Sequence, residues 1–118
     1  MRKYRFYLKD IYEAMSAVQA FVKGIDFSTF VTDDKTSSAV IYKLEIIGKS
    51  AKNIPETIQE KYPQVPWQQI AEMQDKFIKV YFDVDFSHVW NIVKNLIPPL
   101  QPIIAQILED VEEETNDE

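Results

Sequence analysis

The chain contains no cysteine, which excludes disulfides, thiolate zinc sites and cysteine nucleophiles together. It fits a reducing compartment. Two glycines in 118 residues are too few for a Gly-rich phosphate loop or a turn-rich barrel. One histidine, His88, cannot build a metal site with its own kind. No apolar run approaches the ~20 residues that span a bilayer. The first ten residues, Met1-Arg-Lys-Tyr-Arg-Phe-Tyr-Leu-Lys-Asp10, lack the unbroken apolar stretch of a secretory signal. A cytoplasmic protein without membrane contact is the expectation.

The remaining composition, 46% hydrophobic and 27% charged, suits one globular domain. The net charge of −6 is concentrated at one end. Of nineteen acids against thirteen bases, seven lie between Glu109 and Glu118, so the body is about neutral. A local basic surface, and with it nucleic acid as a partner, therefore stays open. The division expected is a domain over 1–108 and a solvated acidic tail over 109–118 that frays.

Helical periodicity dominates. Tyr4, Leu8, Ile11, Tyr12, Met15, Val18 and Val22 form one stripe, which Gly24 stops. Residues 26–30 read as a turn or one helical turn. A second long helix starts near Asp33 or Asp34, carries Val40, Leu44, Ile47, Ala51 and Ile54, and ends at Pro55. After the proline-bounded segment Tyr62-Pro-Gln-Val-Pro-Trp67, a helix is expected through Ile70, Met73, Phe77 and on toward Tyr81. Asp85 suits an N-cap for the next, with Val89, Trp90, Val93, Leu96 and Ile97. Pro98-Pro99 should break or kink it, and Leu100 to Val111 resume the helical spacing. Nothing alternates at period two long enough for a strand. The pattern predicts an all-α, up-down bundle of four long helices plus short ones.

Taken singly, most polar residues have structural explanations. Asp83 and Asp85 flank a valine before a helix, a capping arrangement more than a carboxylate pair for Mg²⁺. Trp67 and Trp90 fall on apolar faces. The informative stretch is Glu72-Met-Gln-Asp-Lys-Phe-Ile-Lys-Val-Tyr-Phe-Asp-Val-Asp85. On a helix it would cluster Gln74, Lys76, Lys79 and Tyr81, an amide, two cations and a phenol able to hold a phosphate. A solvated polar face with Tyr81 closing the core explains the same residues.

The chain also resembles the HepT-like HEPN proteins, small helical partners of minimal nucleotidyltransferases in toxin–antitoxin pairs. The likeness runs from Tyr4 to about Leu108. It is carried by Phe30-Val-Thr-Asp-Asp-Lys-Thr36, Glu45-Ile-Ile-Gly-Lys-Ser-Ala-Lys-Asn-Ile-Pro55, Tyr62-Pro-Gln-Val-Pro-Trp67 and the Met73–Trp90 block. The resemblance implies a HEPN-like dimer and a metal-independent endoribonuclease needing no cofactor. Its motif is an arginine, four to six residues, a histidine, one residue, then a tyrosine, with two protomers completing one site. Arginine forks onto the scissile phosphate, and histidine moves the proton of a ribose 2′-hydroxyl. In several members the tyrosine accepts adenylate from the partner enzyme.

This chain departs from the motif. Gln74 stands at the arginine position and Lys79 at the histidine position; Tyr81 alone matches. Relatives usually read Gly-Glu-Ala where this chain has Gly48-Lys49-Ser50. Glutamine carries no charge for a phosphate fork, and lysine, with an unperturbed pKa near ~10.4, accepts protons poorly at pH 7. The expectation is a weak or inactive binding or regulatory subunit, with Lys49 and Lys76 on RNA and Tyr81 as a modification site. Its expected partners are itself, a homologue or a nucleotidyltransferase. The alternative is an active ribonuclease toxin working through Lys79 and Tyr81.

Overall fold

A computed structural model describes residues 4–73 and 84–116, with the side chains of 113–116 left aside. Within them the chain is all α-helical. The apolar stripe of the N-terminal segment becomes α1, Tyr4–Phe21, whose Leu8, Ile11, Met15 and Val18 are fully buried. Gly24, at φ 78°, takes the left-handed conformation that ends the segment. α2 spans Phe27–Thr32 and α3 spans Asp34–Lys52. α4, Glu56–Lys61, starts after Pro55, and α5 is the short helix Trp67–Ala71. α6, Phe86–Asn91, leads through a π-helical turn, Ile92–Leu96, into α7, Ile97–Asn116.

α1 packs against both α3 and α7, so three long rods enclose the core. Val40, Leu44, Ile47 and Ala51 meet α1 from one side; Ile97, Ile104, Ile107 and Val111 come from the other rod. Each of these is at most 1% exposed, and burying such a side chain contributes about 1.5–3 kcal/mol. A polar chain also ties α1 to α7: Gln19 donates to Gln101 and to the Met15 carbonyl, while Gln101 donates to Ser16 Oγ. Ion pairing adds little, since the Lys9–Glu13 pair is exposed and 3.9 Å apart. Among the described residues no helix is long and apolar enough to cross a membrane.

Two expectations need correction. Pro98 and Pro99 neither break nor end the helix, because they fall in the first turn of α7, directly after the π-helical turn. A proline there asks for no donor in a tight α ladder, and the wider turn makes room for its ring. Helical backbone therefore runs from Phe86 to Asn116. The helix from Trp67 stops at Ala71, and Glu72 and Met73 form a turn closed by Met73 N–H on the Ile70 carbonyl, 3.0 Å. Phe77 and Tyr81, the rest of that expected helix, lie outside the described residues. α7 itself runs into the acidic segment, with Val111 buried and Asp110 accepting from the Tyr62 hydroxyl at 2.6 Å.

Aspartates start the short and long helices alike. Asp26 accepts from Thr29 N–H at 2.8 Å, Asp33 from Thr36 N–H at 3.3 Å and its hydroxyl at 2.8 Å, and Asp85 from His88 N–H at 3.1 Å. The Thr29 amide holds Asp26 below the ordinary carboxylate range, the Thr36 hydroxyl does so for Asp33, and the Tyr62 hydroxyl for Asp110. Unfolded, these groups titrate near ~3.9. As pH falls the unfolded chain therefore binds protons first, so this stabilisation is complete above about pH 5 and lost below about pH 4. The urea midpoint should hold from about pH 7 to 5 and then drop, and Asp33→Asn should shrink the drop. A midpoint that rises on acidification would contradict this.

Candidate functional site

The stretch 72–85, richest in chemistry, is described at its two ends, and both are built firmly. At the entry, the Trp67 indole is 7% exposed and donates from Nε1 to the Tyr62 carbonyl at 3.0 Å. Ile70 and Met73 follow it into the core, at 0% and 2% exposure, and α5 packs on α3. At the exit, Asp85 caps α6 and turns the chain sharply into it. Gln74, Lys76, Lys79, Tyr81 and Asp83 lie outside the described residues.

Lys49 is described. It stands exposed on the last full turn of α3, between buried Gly48 and buried Ser50. Its carbonyl accepts from the Asn53 side chain at 2.9 Å, so the backbone is tied down while the ammonium faces solvent. α3 is the helix against which α5 packs, and α5 delivers the chain to Gln74. His88 sits exposed in the first turn of α6. Among the described residues no group of three or more acids and histidines could hold a metal ion.

The exit carries a feature that sequence reading did not assemble. The Phe30 ring, fully buried, lies 5.1 Å from the Trp90 ring at 43° and 6.1 Å from Phe86 at 87°. Phe27 meets Trp90 edge-on at 5.9 Å. Trp90 is only half-buried, against the core position expected of it, and the Lys94 ammonium lies over its ring at 5.2 Å. Spacing offered a signal: Phe27 and Phe30 are three apart, while Phe86, Trp90 and Lys94 are each four apart, so each set shares a helix face. That the two faces meet is tertiary information.

Residues 11–107 match the family model described as ribonuclease HepT-like. A Thermococcus cleftensis protein named probable ribonuclease HepT is 44% identical over 100 residues, covering 85% of this chain and 91% of its own. A Methanocaldococcus jannaschii protein with a provisional RNase name is 42% identical over 110 residues, 93% of this chain and 91% of its own. One from Caldanaerobacter subterraneus, also provisionally named an RNase, is 38% identical over 109 residues, covering 92% and 97%. No solved structure matches the chain.

Phe30 holds both aromatic partners, so removing its ring should loosen the exit of the stretch as well as the core. Phe30→Ala is expected to cost about 3–5 kcal/mol in urea unfolding, and Phe30→Leu clearly less. A loss under about 1 kcal/mol for the alanine variant would show that the cluster does not bear on stability.

Proposed function

We propose a function from one premise: the chain belongs to the HepT-like ribonuclease family. It acts as an RNA-binding HEPN subunit whose own cleavage is weak or absent. The observation that carries this reading is the pair Gln74 and Lys79 at the motif's arginine and histidine positions.

Metal-independent cleavage requires a base to take the 2′-hydroxyl proton while that oxygen attacks the neighbouring phosphorus and the 5′-oxygen leaves. Charge then grows on the phosphate, where an arginine fork is most useful. Gln74 offers an amide in place of the fork, and Lys79 arrives already protonated. Binding survives better than chemistry, because Lys79, Lys76 and exposed Lys49 all attract phosphate. The subunit pairs with a second HEPN copy, its own or a homologue's, with the Gln74–Tyr81 segments near the axis. Exposed Phe6, 52%, and Tyr42, 60%, support an unsatisfied apolar surface.

The purified protein should leave total RNA intact and not arrest growth on expression. Gln74→Arg with Lys79→His should raise cleavage at least about 100-fold, the usual contribution of a positioned acid–base group. Strong cleavage by the unaltered chain, abolished by Lys79→Ala, would instead make it an active ribonuclease toxin.

Tyr81 keeps the family's phenol, with Lys79 two residues away and Lys76 five. A nucleotidyltransferase antitoxin partner would use it as nucleophile: Tyr81 Oη bonds to the α-phosphorus of ATP, the bond to pyrophosphate breaks, and the phenolic proton is released. With the cognate enzyme, ATP and Mg²⁺, intact-mass spectra should gain one AMP, and Tyr81→Phe should abolish the gain. An adduct that persists in Tyr81→Phe would place the modification elsewhere.

A further inference from the structure

A groove of about 250 Å³ opens where the end of α1 meets the π-helical turn, between Lys23 and Gly24 on one wall and Val93, Lys94 and Pro98 on the other. No acid lines it, in a chain where acids outnumber bases nineteen to thirteen. Lys23 follows the end of α1 by two residues, and Lys94 stands in the π-helical turn of a rod that continues into α7. At Gly24 the backbone is bare, and the space a Cβ would occupy holds nothing within 4 Å. A bulky anion can therefore come close to the main chain there.

Lys94 links this groove to the aromatic cluster, since its ammonium also lies over Trp90. That contact restrains a side chain that would otherwise sweep solvent. Trp90 is half-buried and Phe27 is 39% exposed, so both rings present surface outward. Lys94 belongs to a π-helical turn, a local geometry frequent at functional sites. Positioned cations beside outward-facing rings are the two elements that hold single-stranded nucleic acid: phosphates on the lysines, a base on the rings.

We propose that the Lys23–Lys94 groove and the adjoining Phe27 and Trp90 rings form a further contact for single-stranded RNA, built from residues other than the motif positions Gln74, Lys79 and Tyr81. This rests on the RNA-binding reading above. It adds a place on the described surface where unpaired bases, not duplex, are gripped, and so selects the substrate class.

The test uses the full chain and an oligoadenylate RNA of about 12 nucleotides. Trp67 is buried, so quenching of tryptophan emission reports Trp90. The RNA should quench it, and the same strand in a duplex should not. Lys23→Gln with Lys94→Gln should weaken binding and lower the slope of log affinity against log salt by about 1.4, or 0.7 per lost phosphate contact. Phe27→Leu keeps the apolar bulk, so it folds, yet should cost roughly 10-fold in affinity through lost stacking. Unchanged affinity and slope in these variants, with wild-type binding intact, would overturn this contact and leave the proposed function standing. Equal quenching by duplex would also overturn it. Failure of the unaltered chain to bind any RNA would overturn both.

Discussion

The burial of Phe30, on α2, against the rings of α6 is the contact on which the exit of the 72–85 stretch depends. Phe86 and Trp90 both pack on that ring, and Phe86 is the first residue of α6. The capping carboxylate of Asp85 sits immediately before it. The motif segment is thus delivered by one set of buried side chains, Trp67, Ile70 and Met73, and received by another. The same cluster leaves Trp90 half out of the core.

A second constraint concerns prolines. Pro98, Pro99 and Pro102 fall within five residues, yet the rod continues to Asn116. For Pro98 and Pro99 the carbonyls four residues earlier belong to the π-helical turn, whose wider backbone leaves room for the rings, while Pro102 lies inside α7. That turn also presents Lys94 over Trp90. Straight continuation matters because α7 reaches back along α1, and the Tyr62–Asp110 bond then fastens the loop before α5 to the far end of that rod.

Much of the fold was legible in the chain because it is set locally. The α1 stripe, the Gly24 stop, the Asp33 and Asp85 caps and the opening at Pro55 follow from spacing and backbone preference. What escaped was tertiary. Pro98-Pro99 read as a break because local propensity says so, whereas both fall in the first turn of α7 after a π-helical turn that spacing does not reveal. Asp110 read as one more solvated charge, since its partner Tyr62 lies 48 residues away. For the candidate site, Gln74, Lys79 and Tyr81 were legible as positions only through the family resemblance. Their own side chains suggest a polar face and nothing sharper. The groove at Lys23 and Lys94 brings together residues 71 apart, which no periodicity reveals.

If recognition of RNA outlives its cleavage in this chain, the two separate in one experiment. The protein is incubated with end-labelled single-stranded RNA, the protein-bound fraction is captured on a filter, and that fraction is run on a denaturing gel. Retained RNA of full length is expected, with retention falling steeply as salt rises. RNA that passes through the filter at low salt, or is retained only as fragments, would contradict this.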